Sequence, residues 1–229
     1  MRKAANKLLY RFGYRLEKIS RFERLQKALL GVDPSPKFLQ IGANDGLRFD
    51  GLYFFVTRYR CPGVVVEPLP DVFGRLKFNY ADYPQVIAVN KAIHATEPSV
   101  TIYRVTDQGV TEMDDWAAGL ASFDRGHLVR HGVPERHIRG ETVACLPLMQ
   151  LIAETGCHDA KLMQVDTEGY DAEIIRMLDF EGFRPLLIKY EHKNVSPEAR
   201  REAGELLRRN GYRTVEEKGD TVAWQGLRL

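Results

Sequence analysis

From residue 37 onward, short apolar runs alternate with longer amphipathic segments, a pattern typical of βα units on a mainly parallel sheet. The apolar runs predict strands at residues 38–41, 64–67, 86–90, 161–166 and 186–191. Amphipathic segments predict helices at residues 71–80, 170–180 and 197–209. Near the C-terminus, residues 211–216 and 221–225 flank a tight turn and predict an antiparallel hairpin. The pattern therefore predicts a doubly wound, Rossmann-like α/β fold that ends in a hairpin.

The first 30 residues follow a helical period instead, with basic side chains on the faces that the apolar ones leave free. The apolar positions are Leu8, Leu9, Phe12, Leu16, Ile19, Phe22, Leu25 and Leu29. They predict a basic amphipathic helix, which could dock on a membrane surface or a partner, or pack on its own domain or in a dimer. We expect residues 1–36 to form this arm and a linker, and residues 37–229 to form one domain.

Residues 106–140 interrupt the alternation with many polar and glycine positions. A long insertion in a compact domain is often a lid or a binding loop, and a peripheral elaboration is the alternative.

Charge is unevenly distributed along the 229 residues. Residues 1–30 carry nine basic and two acidic side chains, which leaves 24 basic and 29 acidic side chains in the remainder. The body of the protein is therefore mildly acidic, which argues against a nucleic-acid-binding domain. An apolar content of 44% is enough for one sizeable core.

Three cysteines, Cys61, Cys145 and Cys157, are an odd number without a CxxC spacing. They argue against a disulfide framework and a structural zinc site, and we expect no bound metal. No apolar run reaches the roughly 18 residues of a membrane span, and the N-terminus lacks the features of a signal peptide. We therefore expect a soluble, cytoplasmic protein.

The predicted strand 38–41 runs directly into a loop of small residues, Gly42-Ala43-Asn44-Asp45-Gly46. Small residues let the backbone approach a ligand closely, but glycine turns follow strands in many proteins. A dinucleotide fingerprint needs glycine near positions 42, 44 and 47, whereas this chain has Asn44 and Leu47. The loop thus predicts a ligand site and disfavours a pyrophosphate.

Glu67 ends the next predicted strand, 21 positions after Gly46. A carboxylate at that place can accept hydrogen bonds from both ribose hydroxyls of an adenosine. Its alternative role is to cap the helix that begins near Asp71.

More polar residues follow the strands 161–166 and 186–191, at the edge where open α/β sheets bind ligands. Asp166 ends the first strand and Glu168 follows it, while Glu191-His192-Lys193-Asn194 begins at the last residue of the second. His192 titrates near physiological pH and is a candidate general base. For each of these residues, a helix cap or a hydrogen-bonded rim position is the alternative.

Four segments, in order and spacing, resemble the FkbM family of S-adenosylmethionine (SAM)-dependent methyltransferases over residues 37–225. They are Gln40-Ile41-Gly42-Ala43-Asn44-Asp45-Gly46, Val66-Glu67-Pro68, Val89-Asn90-Lys91-Ala92-Ile93 and Gln164-Val165-Asp166-Thr167-Glu168-Gly169-Tyr170-Asp171. The resemblance implies a fold of the class I methyltransferase type with SAM as cofactor.

The resemblance also implies roles for individual residues. Gly42, Asn44 and Gly46 would contact the methionine and ribose parts of SAM, with Ala43 and Asp45 in the same loop. Glu67 would bind the ribose hydroxyls, and Asn90 and Ala92 would lie beside the adenine. Asp166 and Glu168 match the family's D-x-E-G segment on the cofactor and substrate side. Gln40 stands where the family often has an acid, so Asp45 or Asp166 would have to orient the ammonium end of the cofactor.

The implied reaction is an in-line attack of a substrate hydroxyl on the methyl group of SAM, with a sugar, glycan or natural-product intermediate as acceptor. His192 is the first candidate for the base that takes the hydroxyl proton, followed by Glu168 and Asp166. The sequence leaves open whether the protein methylates a nitrogen instead, whether it forms a homo-oligomer, and whether the arm docks on a membrane surface or a partner. A non-catalytic nucleoside-binding module and a nicotinamide-dependent oxidoreductase are the rival functions.

Overall fold

A computed structural model describes residues 19–48, 51–113 and 115–228. The strands in chain order are β1 (Phe38–Ile41), β2 (Gly63–Val66), β3 (Val86–Val89), β4 (Ala92–Ile93), β5 (Ser99–Val105), β6 (Ala121–Ser122), β7 (Ile138–Leu146), β8 (Leu162–Val165), β9 (Leu187–Glu191), β10 (Arg213–Glu217) and β11 (Asp220–Trp224). The α-helices are α1 (Arg21–Leu30), α2 (Leu52–Arg58), α3 (Pro70–Asn79), α4 (Asp107–Met113), α5 (Arg125–Arg130), α6 (Leu148–Thr155), α7 (Asp171–Arg176) and α8 (Pro197–Arg209). Short 3₁₀ helices span Asp115–Gly119 and Glu135–His137.

A seven-stranded sheet with the order β10-β11-β9-β8-β1-β2-β3 forms the centre of the molecule. The strands from β9 to β3 are parallel, and β11 is antiparallel to both β9 and β10. The predicted doubly wound sheet and its C-terminal hairpin are therefore confirmed. The bounds of β1 and α8 agree with the predicted ones to the residue.

The central strands β1, β2 and β8 are buried along their whole length. Parallel strands are covered by helices on both faces, which explains their nearly continuous apolar sequences. Residues of α6, α7 and α8 pack in the core cluster on one face, and residues of α1, α2 and α3 pack in the cluster on the other.

The register of the strands sets the position of the ligand-binding edge. Ile41 pairs with both Val66 of β2 and Val165 of β8, and Val165 also pairs with Tyr190 of β9. The residues that follow these strands, among them Gly42, Glu67 and Asp166, therefore lie side by side at the same edge of the sheet.

The helix α1 begins at a capping box. Ser20 is extended, its side chain accepts a hydrogen bond from the backbone N–H of Glu23, and the Glu23 carboxylate accepts one from the backbone N–H of Ser20. Leu25 and Leu29 are fully buried in the same cluster as Phe38. One helix running through the whole arm is not confirmed, because the chain is extended at Ser20 and residues 1–18 lie outside the described part.

The predicted insertion at residues 106–140 contains α4, β6, α5 and both 3₁₀ helices. Its buried apolar residues, among them Leu120 and Leu128, form a small core together with Val105 of β5. The flanking strands β5 and β7 pair antiparallel over seven residues and belong to a second sheet with the order β4-β7-β5-β6. The sequence pattern predicted neither strand, nor α2 and α6. Among the described residues, no helix is long and apolar enough to cross a membrane.

Candidate active site

The loop after β1 has room for glycine alone at its first position. Gly42 has a φ of +76°, and an added Cβ would lie 1.7 Å from the carbonyl oxygen of Asp166. Gly46 has a φ of +81°, and its Cβ would lie 3.0 Å from side-chain atoms of Leu76 and Tyr80. The two glycines therefore let the loop lie directly against β8 and α3.

Asp45 holds the shape of this loop. Its Oδ1 accepts hydrogen bonds from the backbone N–H groups of Leu47 at 3.0 Å and Arg48 at 2.8 Å. The side chain is buried and is not among the residues that line the main cavity, whereas Asn44 and Ala43 are. The structure therefore does not bring Asp45 to the position where it could orient a cofactor's ammonium group.

Glu67 is braced at the end of β2 by two backbone groups. Its Oε2 accepts from the N–H of Asn44 and its Oε1 from the N–H of Leu69, each at 3.0 Å. Burial raises the pKa of this carboxyl to about 7, against the opposing effect of the two hydrogen bonds. Leu69 is the N-cap residue of α3, so the carboxylate both stabilises the start of this helix and lines the cavity.

Two residues of the segment after β3, Asn90 and Ala92, make different contacts. Asn90 donates its side-chain amide to the carbonyl oxygens of Glu67 at 2.8 Å and Pro68 at 2.9 Å, and it does not line the cavity. Ala92 lines the cavity and packs with Leu69, in a cluster that includes buried apolar residues of α3 and β5. The cavity is therefore apolar on the side beyond Glu67.

Gly42, Ala43, Asn44, Glu67 and Ala92 line one cavity of about 550 Å³, a size usual for sites that bind small molecules and cofactors. The insertion contributes part of its wall, through Trp116 and residues 118–123. A peripheral position for the whole insertion is thus excluded. On the opposite side, the cavity reaches the ends of β8 and β9.

Three carboxylates meet at those strand ends. Oxygen atoms of Asp166, Glu168 and Glu191 all lie within 4.8 Å of one another. Glu168 has a φ of +52°, an unusual value for a residue other than glycine. The turn that imposes it is held by the buried Asp171, whose Oδ2 accepts a hydrogen bond from the hydroxyl of Thr167 at 2.9 Å.

Two polar side chains from the segment after β9 contact this carboxylate cluster. Lys193 Nζ lies 2.6 Å from Glu191 Oε1. Asn194 donates from its amide to Glu168 Oε2 at 2.7 Å and to Glu191 Oε2 at 2.6 Å. The Asp166 side chain is exposed and lines the cavity. Partial desolvation there and the charges of Glu191, Asp171 and Glu168 raise its pKa well above the ordinary value.

His192 lies on the other face of the sheet. Successive side chains of a strand point to opposite faces, and Lys189, Glu191 and Lys193 are the residues of this segment that line the cavity. The ring Nδ1 of His192 lies 2.9 Å from Thr221 Oγ1, and burial lowers the pKa of the imidazole. The structure therefore does not support His192 as the first candidate for the base.

The insertion brings residues to the cluster that the sequence did not indicate. Ser122 donates its hydroxyl to the carbonyl oxygen of Glu168 at 2.9 Å. His127 is 3% exposed, and its Nε2 lies 3.3 Å from Glu168 Oε2. Phe123 packs edge-on against Tyr170, with ring centroids 4.9 Å apart. These contacts join segments far apart in the chain, so no local spacing could have revealed them.

The fold and the site together define an α/β protein with an acidic cavity beside the glycine loop at the carboxyl ends of its parallel strands. The family model of the methyltransferase FkbM domain matches residues 40–214. This chain belongs to the FkbM methyltransferase family and has the class I, Rossmann-like fold and the SAM dependence of such enzymes.

Solved structures show distant similarity. An FkbM methyltransferase from Methylobacillus flagellatus is 14% identical with a TM-score of 0.48, over 84% of this chain and 44% of that one. An O-methyltransferase from Bacillus cereus in complex with S-adenosylhomocysteine (SAH) is 11% identical with a TM-score of 0.46, over 97% and 90%. An RNA methyltransferase from Salinibacter ruber with SAH is 16% identical with a TM-score of 0.40, over 88% and 86%. A search of curated proteins found no match.

The residues present fit SAM. Gly42, Ala43 and Asn44 line the cavity with little side-chain bulk, and Glu67 presents there a carboxylate held in place by two backbone donors. Because Gln40 replaces an acid and Asp45 does not reach the cavity, Asp166 is the acid of this set that can meet the cofactor's ammonium end. When bound, SAM supplies a methyl group activated by the sulfonium.

Proposed function

We propose that this protein O-methylates a hydroxyl of a sugar, glycan or natural-product intermediate. The observation that supports this proposal is the carboxylate cluster of Asp166, Glu168 and Glu191 in the same cavity as the glycine loop. Oriented carboxylate and amide groups are the partners that a polyhydroxylated acceptor requires. The acidic lining also argues against an anionic group at the reacting end of the acceptor.

The order of the strands supports a division of the cavity. Glu67 follows β2 and Glu191 is the last residue of β9, three strand positions apart, which corresponds to about 14 Å at the usual spacing of about 4.8 Å. Glu67 and Gly42 would hold the nucleoside and methionine parts of the cofactor. The cluster beyond Asp166 is then left for the acceptor.

Glu168 is our first candidate for the base that takes the hydroxyl proton. Its carboxylate reaches the cluster from a turn held by Asp171, and Asn194 donates a hydrogen bond to its Oε2. General bases must lie within hydrogen-bond reach of the proton that they remove, and a fixed carboxylate at the cavity wall meets that condition. Asp166 is the second candidate, and His192 is no longer one.

Transfer of labelled methyl groups from SAM to a panel of activated sugars, glycans and small alcohols tests this proposal. Glu168→Gln should lower kcat on a labelled acceptor by at least about a hundredfold while leaving SAH affinity intact. Glu112→Gln is the matched control, since Glu112 also pairs with a histidine, at 2.8 Å from His137 Nε2, but does not line the cavity. If the protein binds SAH but labels no acceptor, and the variants have no effect, its function would be that of a non-catalytic binding module.

A cytoplasmic location is part of the proposal. The three cysteines are free, and burial raises the pKa of the Cys61 and Cys157 thiols to about 12. Unpaired thiols are usual in a reducing compartment. Fractionation of cells that express the chain, followed by immunodetection, tests this location.

A further inference from the structure

The insertion contacts the turn that carries Glu168 at both its backbone and its side chain. Ser122 donates its hydroxyl to the carbonyl oxygen of Glu168 at 2.9 Å. From α5, Nε2 of His127 lies 3.3 Å from Oε2 of Glu168. Glu168 has a φ of +52°, and a residue other than glycine keeps such a conformation only where the surrounding structure imposes it. The insertion is therefore part of what fixes the position of this carboxylate.

His127 approaches Glu168 from the side away from the cavity. Its side chain is 3% exposed and does not line the cavity, whereas Glu168 does. The backbone N–H of His127 donates to the carbonyl oxygen of Asp124 at 3.0 Å, in the first turn of α5. The ring of His131, one turn further along, packs against the imidazole with 4.3 Å between the ring centroids. A buried ring packed in this way has little freedom to turn away from Glu168.

The distance between the two atoms indicates where the proton of the imidazole lies. An ionised carboxylate only accepts hydrogen bonds, and an imidazole nitrogen without a proton also only accepts them. Two lone pairs 3.3 Å apart would repel each other, so the proton of a neutral His127 belongs on Nε2. Nε2 makes no aligned hydrogen bond in this structure. Because a buried N–H group without a partner costs free energy, a small movement of Glu168 towards the ring is favourable, and catalytic hydrogen bonds often become short and aligned only when the substrate binds.

The contact also distinguishes the two carboxylate oxygens of Glu168. Asn194 donates from its amide to Oε2 at 2.7 Å, and His127 faces the same oxygen. Because both of these partners are at Oε2, Oε1 is the oxygen left for the acceptor.

We propose that His127 is a positioning residue, which holds Oε2 of Glu168 so that Oε1 takes the proton of the acceptor hydroxyl. This role rests on the proposed function, in which Glu168 is the base. During the transfer, the acceptor oxygen forms a bond to the methyl carbon, the bond from that carbon to sulfur breaks with its electron pair going to sulfur, and the hydroxyl proton moves to Oε1. Because His127 does not line the cavity, it acts through Glu168 alone.

The insertion contains a second buried histidine that serves as a matched control. His137 is 2% exposed, and its Nε2 lies 2.8 Å from Oε2 of Glu112. Neither residue of this pair lines the cavity. Loss of either histidine removes one buried imidazole and one contact with a glutamate, but only the loss of His127 affects a carboxylate in the cavity.

Methyl transfer from labelled SAM to an acceptor identified by the panel tests the proposal. His127→Leu removes the donor and should lower kcat at least about tenfold, while KM for the acceptor and SAH affinity change less than about threefold, because only the transition state uses the placed base. His127→Gln keeps an N–H donor of similar reach and should retain kcat within about threefold of the wild type. His137→Leu should also stay within about threefold. Equal losses of kcat in His127→Leu and His127→Gln, or in His127→Leu and His137→Leu, would overturn the proposal.

A double-mutant cycle tests the contact independently of catalysis. Urea-induced unfolding of His127→Leu, Glu168→Gln and the double variant should show non-additive losses of the free energy of unfolding, because the two side chains are in direct contact. Additive losses would mean that the two side chains do not interact and would overturn the positioning role.

The two proposals fail in different ways. A wild-type chain that binds SAH but transfers no methyl group to any acceptor would overturn the proposed O-methylation, and with it the role of His127. Full kcat in a folded His127→Leu would overturn the positioning role and leave the methyltransferase reaction standing.

Discussion

Replacing Gly42 by alanine perturbs the cofactor loop at its closest contact. The new Cβ would lie 1.7 Å from the carbonyl oxygen and 2.8 Å from the carbonyl carbon of Asp166. Both atoms belong to the backbone after β8, so no side-chain rotation can relieve the overlap and the ends of β1 and β8 must move apart. The left-handed conformation costs a further 1–2 kcal/mol, roughly.

The sum gives the expected size of the effect. With about 1–3 kcal/mol for overpacking added to the conformational cost, we expect Gly42→Ala to lower the free energy of unfolding by about 2–5 kcal/mol. Gly132 is the matched control, because its φ is +83° and no atom lies within 4 Å of its added Cβ. Gly132→Ala should cost only the conformational part, about 1–2 kcal/mol.

Urea-induced unfolding measures both values, and calorimetric titration with SAH measures the effect on the loop. Gly42→Ala should also abolish measurable SAH binding, whereas Gly132→Ala should bind SAH like the wild type. Equal stability losses in the two variants, or unchanged SAH affinity in Gly42→Ala, would refute the view that β8 leaves room for glycine alone.

Three further predictions concern carboxylates and the histidine. Glu67→Gln should weaken SAH binding by roughly ten- to a hundredfold, because an amide cannot accept hydrogen bonds from both Asn44 and Leu69. Calorimetry would measure this affinity, and an unchanged value would exclude Glu67 from the site. The raised pKa of Glu67, about 7 against an ordinary 4.5, and that of Asp171, about 7 against 3.8, mean that the folded chain holds extra protons between these values. The raised pKa values of Glu67 and Asp171 stabilise the fold fully below about pH 4, and this stabilisation, about 3–4 kcal/mol for each group, is lost as the pH rises through about 7. Urea titrations at about pH 5, 6 and 7 should therefore show a shallower decline of the free energy of unfolding with pH in Glu67→Gln than in the wild type. Parallel slopes in the two proteins would contradict this. In a methyl-transfer assay, His192→Ala should keep kcat within about threefold of wild type, while Asp166→Asn should lower kcat at least about a hundredfold. A loss of kcat confined to His192→Ala would reinstate the histidine as the base.

Local patterns were sufficient for the central sheet. The runs that form β1 and β8 are apolar without interruption, because helices cover both faces of a parallel strand. The same reasoning located Glu67 and Asp166, since both directly follow such a strand. The glycine loop could be recognised because its two glycines occupy positions where φ is positive.

Local sequence patterns could not predict strands and contacts that join segments far apart in the chain. The strands β5 and β7 are partly exposed along most of their length and pair across about thirty intervening residues, so neither shows a long apolar run. His127 reaches Glu168 only because the insertion folds over the end of β8. His192 was assigned to the cavity because the sequence places it beside Glu191, whereas the alternation of side chains along β9 turns it to the other face.

The most direct test of the cofactor site is a paired calorimetric titration of the wild-type chain with SAH and with NAD⁺. The cavity beside Gly42 and Glu67 should bind one SAH per chain, and NAD⁺ should not bind, because the loop lacks the glycine spacing for a pyrophosphate. Tight binding of NAD⁺ without binding of SAH would contradict the assignment of this cavity to SAM.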